Sequence, residues 1–189
     1  KGWVKKAAEE GVNVRCGYWE IPGRPKVALV DFTPYFEKKE ELYAELWNDF
    51  QVDSLHGYGD YDDSMIFGYA VGRVIESFYN ANIKKGSNVV VQAHEWQSGN
   101  AALYVKKHLP AVGTIFTTHA TSIGRSIASN GKPLYDYFEG YNGDQMAAEL
   151  NVESKQSVEK VTAANIDCFT TVSEITAREC KQLLDKPVD

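Results

Sequence analysis

His119 and Arg125 are the side chains best suited to chemistry on a phosphate-bearing sugar. They close the run Gly113-Thr114-Ile115-Phe116-Thr117-Thr118-His119-Ala120-Thr121-Ser122-Ile123-Gly124-Arg125. An imidazole exchanges a proton near neutrality and hydrogen-bonds sugar hydroxyls or developing charge. A guanidinium stays charged and grips phosphate bidentately. A strand expected over Val112 to Thr117 delivers both to its carboxyl end, where open α/β sheets bind ligands. At about 100° per residue, their offset does not place them on one helix face. They converge only if His119 lies in the loop and Arg125 in the opening turn of a helix over Thr121 to Ser129. That helix start itself favours a nearby anion. The plainer readings are a histidine bonded to local backbone at the strand end and a solvated surface arginine. Thr117, Thr118 and Thr121 suit either case, because they satisfy turn backbone.

One strand earlier the pattern recurs: Val89-Val90-Val91 leads into His94-Glu95-Trp96. Metal binding fits poorly, since an HExxH pair needs a second histidine where Ser98 stands. Carbohydrate binding fits better, with Trp96 offering a flat apolar face and Glu95 accepting hydroxyl hydrogen bonds. The alternative packs Trp96 between helix and sheet. A third strand end, Thr170-Thr171-Val172-Ser173, places Ser173 as N-cap with Thr176 and Glu179 early in the next helix. No Gly-x-Ser-x-Gly elbow, P-loop or GxGxxG is present, which lowers hydrolase, ATPase and dehydrogenase readings. Asp60, Asp62 and Asp63 lack EF-hand spacing and read as a solvated loop, with Asp62 or Asp63 as a helix cap.

These clusters need a scaffold, and the composition supplies an ordinary one. The 189 residues are 43% hydrophobic and 24% charged, enough for one domain with a substantial core. A net charge of −6 argues against nucleic acid as a partner. No apolar run reaches the roughly 18 residues of a bilayer span, and Lys1-Gly2-Trp3-Val4-Lys5-Lys6 lacks a signal-peptide core. Cys16, Cys168 and Cys180, an odd count without CxxC spacing, read as reduced thiols of a cytoplasmic protein, with Cys168 a small core residue.

Short apolar strands alternating with helices predict an α/β fold, a Rossmann-like parallel sheet with helices on both faces. Strands are expected over Val12 to Trp19, Lys26 to Phe32, Asn88 to Ala93, Val112 to Thr117 and Asp167 to Thr171. Helices are expected over Trp3 to Glu10, Phe36 to Phe50, Ser64 to Asn80, Gln97 to His108, Thr121 to Ser129, Asp144 to Ala164 and Ile175 to Leu184. In the third, Ile66, Phe67, Ala70, Val74 and Phe78 should face inward. Asn130 to Gly143 reads as the least regular, most mobile segment. The first helix lacks a feeding strand and the chain stops just after a helix, so a fragment is expected.

The chain resembles the glycogen synthases of the animal and fungal type, retaining glycosyltransferases with two facing Rossmann-like domains. The likeness rests on His94-Glu95-Trp96 with Gly99, on Thr114 to Thr121 with Gly124-Arg125, and on Phe169 to Thr176. Weaker similarity runs through Gly17-Tyr18-Trp19-Glu20-Ile21, Asp31, Leu46-Trp47 and Phe67-Gly68. The resemblance implies residues 1–189 as part of the N-terminal domain of such an enzyme. It implies transfer of glucose from UDP-glucose or ADP-glucose to an α-1,4-glucan such as glycogen, with retention and without a cofactor or metal. His119 would lie at the donor sugar and Arg125 at the donor phosphates. His94, Glu95 and Trp96 would lie on the acceptor side. A homo-oligomer of the whole protein is a further implied partner. The family's glycine-rich nucleotide loop would precede Lys1 and its second domain follow Asp189, so this chain alone should turn over slowly or not at all. The alternatives are another two-domain glycosyltransferase, of the sucrose or trehalose type, or a sugar-binding module without catalysis.

Overall fold

The computed structural model describes residues 2–189. Helix α1 (Gly2–Glu9) leads into an antiparallel hairpin of β1 (Val14–Tyr18) and β2 (Lys26–Val30), with Val14 opposite Val30 and Tyr18 opposite Lys26. This hairpin forms its own two-stranded sheet. A 3-10 turn at Thr33–Lys38 then feeds α2 (Lys39–Phe50), where the expected helix from Phe36 thus begins three residues later. Helix α3 (Asp60–Asn82) starts before the expected Ser64, with Gly59 at the N-cap. Asp62 is therefore not a cap. It lies in the first turn and ties α2 to α3 by accepting from Lys39 Nζ at 3.1 Å and Tyr43 Oη at 2.5 Å.

The central sheet is parallel, in the order β3 (Val90–His94), β4 (Gly113–Thr118), β5 (Cys168–Thr171). Helix α4 (Gly99–His108) crosses from β3 to β4. The return to β5 runs through α5 (Ser122–Ser129), α6 (Gly143–Leu150) and α7 (Glu153–Asn165), and α8 (Glu174–Leu183) follows. This is a Rossmann-like α/β arrangement flanked by helices. Its faces are covered unequally. Ala93, Phe116 and Phe169 point into a core with Ala102, Ala163, Ile166, Cys180 and Leu184. The Phe116 and Phe169 rings stack at 5.7 Å across β4 and β5. On the other face Val90 is 60% exposed and Cys168 only half-buried, so Cys180 rather than Cys168 is the deeply buried thiol.

Other differences have local causes. The stretch Asp144 to Ala164 is two helices because Asn151 adopts the left-handed conformation (φ 55°) that asparagine tolerates. The Val152 amide then returns to Ala147 O at 2.9 Å, closing α6. Phe67 and Phe78 lie at the margin rather than inside, packed edge-on against Phe32 and Trp3. Asn130 to Gly143 is irregular as expected, yet anchored: Leu134, Phe138 and Tyr141 are buried with Ile123, Ile127, Met146 and Leu183.

Candidate active site at the carboxyl ends of the sheet

Parallel pairing of β3 with β4 sets His94 opposite Thr117, so both polar clusters leave the sheet at the same edge. A polar ladder crosses the strands there: Gln92 Nε2 donates to Thr117 Oγ1 at 3.0 Å, and Thr117 Oγ1 lies 2.7 Å from Thr170 Oγ1. Past the strand ends, His94 Nδ1 and His119 Nε2 are 3.1 Å apart. His119 sits in the loop before α5 and Arg125 in its opening turn, the one arrangement that lets them converge.

Glu95 joins them. Its Oε1 accepts the His119 backbone amide at 2.9 Å and lies 3.7 Å from Arg125 Nη2. The second distance is an ion pair rather than a hydrogen bond, and the Arg125 side chain remains 61% exposed. Glu95 holds this post in a backbone conformation (φ 64°, ψ 161°) that non-glycine residues rarely adopt. Such strain costs on the order of 1–3 kcal/mol and gathers at functional sites. The Glu95 amide donating to Thr117 O at 2.9 Å helps to fix it. The expected hydroxyl acceptor is thus engaged first with the site's own imidazole loop and cation.

Trp96 requires a correction. It is 5% exposed, stacked at 6.3 Å on Tyr61 within a core of Leu46, Val52, Met65, Leu103 and Val158. Lys155 Nζ lies 5.0 Å over its ring. It offers no flat face to a sugar. Its size and apolarity draw it under the 3-10 turn at Trp96–Ser98, where it anchors the segment that carries Glu95.

The start of α5 is also not an open anion seat. Thr121 caps the helix by accepting from the Gly124 amide at 2.9 Å. The Thr121 and Ser122 amides donate to the protein's own buried carboxylates, Glu179 at 2.8 Å and Glu159 at 2.7 Å. Burial pushes Glu159 up to about 7, against hydrogen bonds from Ser122 and Thr118 that pull it down. Beside it the Cys180 thiol is pushed up to about 12 by burial and then by the charges of Glu159 and Glu179. A thiol so held is protonated and unreactive. Glu159 is a residue the sequence reading missed, although one signal for it was there. Counting seven, four and seven residues on one helix face, it shares a stripe with Val152, Ala163 and Ile166. Among the described residues no cluster of three metal-ligating side chains occurs, and no helix is long and apolar enough to cross a membrane.

A parallel sheet of Rossmann-like build thus gathers an imidazole pair, a carboxylate and a guanidinium at its carboxyl edge. The family model for glycogen synthase matches residues 1–189, and the chain belongs to that family. It is 34% identical over 179 residues to a glycogen [starch] synthase of Dictyostelium discoideum, covering 95% of this chain and 20% of that protein. It is 31% identical to the Neurospora crassa glycogen [starch] synthase over 100% of this chain and 26% of the relative. Against the liver glycogen [starch] synthase of Rattus norvegicus it is 30% identical, over 98% and 27%. The chain therefore spans about a quarter or less of the length of these curated relatives.

Proposed function

We propose that this chain is part of the N-terminal domain of a glycogen synthase. The enzyme would move glucose from a nucleoside-diphosphate glucose to the non-reducing end of an α-1,4-glucan, with retention. The observation that carries the reading is the convergence of His119, Glu95 and Arg125 at one strand edge. Breaking the glycosidic bond leaves negative charge on the departing diphosphate, where a preorganised cation counts most in the transition state. Arg125 supplies a cation there on an exposed arm, and the Glu95 carboxylate aims it toward the arriving phosphate. The His119 ring, held by His94, faces the sugar. On this reading cationic side chains such as Arg125 do the work without a metal. The donor is UDP-glucose or ADP-glucose, and the enzyme works in the cytoplasm. Labelled-glucose incorporation into glycogen by the protein at the length of its relatives tests it. Wild type is expected to be active, with His119→Ala and Arg125→Ala each losing about 10²-fold or more in kcat. Full kcat in both variants would remove these roles.

A further inference from the structure

The loop that carries His119 is pinned on both sides by buried carboxylates from two helices far along the chain. Glu159 of α7 is 0% exposed and Glu179 of α8 is 1% exposed. Before His119, the Thr118 hydroxyl donates to Glu159 Oε1 at 2.7 Å. After it, the Ser122 amide donates to Glu159 Oε2 at 2.7 Å, so one carboxylate staples the loop's two ends together. Glu179 Oε1 takes both the amide and the hydroxyl of Thr121, at 2.8 Å and 2.5 Å. The half-exposed Tyr135 reaches its other oxygen at 3.4 Å.

Two carboxylates with no cationic partner among the described residues are an expensive way to hold a turn. A cap residue alone would start α5, and Thr121 already does so. What the pair adds is position. Only His119 and Ala120 lie between the pinned residues, and the His119 amide and carbonyl are themselves bound to Glu95 and Thr176. Gly124 belongs to the same device. A Cβ there would overlap Glu179 Oε1, so only glycine lets the carboxylate reach Thr121.

We infer that Glu159 and Glu179 are positioning residues for His119, acting through the Thr118–Ser122 loop without touching either substrate. The inference rests on the proposed glucosyl transfer. Its chemistry separates position from charge. A glutamine at 159 can accept the Ser122 amide through its carbonyl and donate to Thr118 Oγ1 through its NH2 group. The Thr118 hydroxyl then turns to Ala120 O, 3.3 Å away. A leucine at 159 leaves the buried Ser122 amide without its acceptor and the Thr118 hydroxyl with Ala120 O alone, so the staple between the loop's two ends is lost.

The test is steady-state kinetics on the full-length protein, with kcat expressed per folded molecule. Glu159→Leu, Glu179→Leu and Gly124→Ala should each lose about 10²-fold in kcat, as ångström misplacement does. Their KM for glycogen should stay within about twofold, and Glu159→Gln should keep most of the activity. Where a leucine variant does not fold, Gly124→Ala against Glu159→Gln decides. Wild-type kcat in the folded leucine and alanine variants would overturn the inference, as would a Glu159→Gln as damaged as Glu159→Leu. A wild type that transfers no glucose would overturn the proposed function itself.

Discussion

His94 Nδ1 faces His119 Nε2 at 3.1 Å, with ring centroids 5.4 Å apart and planes at 55°, so the contact is an edge-to-edge hydrogen bond. Between neutral rings one nitrogen must donate and the other accept. The bond therefore sets which nitrogen of His119 is presented outward. Removing this partner frees the ring to turn. His94→Ala is expected to lower kcat by about tenfold while the KM for glycogen changes little. His94→Gln, which keeps a hydrogen-bonding partner, should lose less. Steady-state glucose transfer checks this, and an unchanged kcat for His94→Ala would take His94 out of the site.

Arg125 presents a planar fork, 61% exposed and held only loosely by Glu95. A lysine would keep the charge and lose the bidentate geometry. Arg125→Lys is therefore expected to remain at least about tenfold below wild type in kcat. Recovery of full activity by lysine would mean that charge alone suffices there.

Trp96 is expected to matter for stability rather than for sugar contact. Replacing a buried tryptophan by alanine costs about 3–5 kcal/mol. Denaturant unfolding of Trp96→Ala should show a loss of that size. Co-sedimentation of the folded variant with glycogen should stay close to wild type. A stable variant that no longer binds glycogen would restore the flat-face reading.

The strand ends were legible because they are local events. Val89 to Val91 and Val112 to Phe116 are short apolar runs, and each ends in residues that hydrogen-bond rather than pack. Helix geometry set only a condition for His119 and Arg125 to converge, that the first lie in the loop and the second in the opening turn, and Thr121 capping α5 meets it. The sequence said less about sidedness. Trp96 read first as a sugar platform with packing as the alternative, and burial against Tyr61 decided for packing. Glu95 looked like a ligand for hydroxyls, and nothing along the chain announces its φ of 64°. Glu159 is the plainest miss, since a charged residue on an apolar stripe is easily read as surface. Its partners, Thr118 and Ser122, lie about forty positions away and meet it only through the packing of α5 on α7.

Glu159 should also write a pH signature on stability, and its sign can be worked out. Its carboxyl is raised from an ordinary 4.5 to about 7, chiefly by burial. Between those values the folded chain keeps a proton that the unfolded chain has released. Stability must then fall as pH rises. The Glu159 contribution is fully present below 4.5 and is lost as pH passes through 7. At 1.36 kcal/mol per unit the loss is about 3 kcal/mol. Glu95 raises the Glu159 carboxyl further, the Cys180 thiol beside it feels both Glu159 and Glu179, and no ion pair to Glu159 occurs among the described residues. Asp167 runs the opposite way. Lys106 and Thr114 lower it to about 2, so its contribution disappears only in stronger acid. His56, raised by Asp53, is lost in the same direction as Glu159, but it is common to wild type and variant and cancels in a difference. Denaturant unfolding at pH 5 and pH 8 should therefore find Glu159→Gln near wild type at the first. At the second it should be more stable than wild type by up to about 3 kcal/mol. A wild type whose stability relative to Glu159→Gln does not change between the two would mean that Glu159 stays ionised throughout.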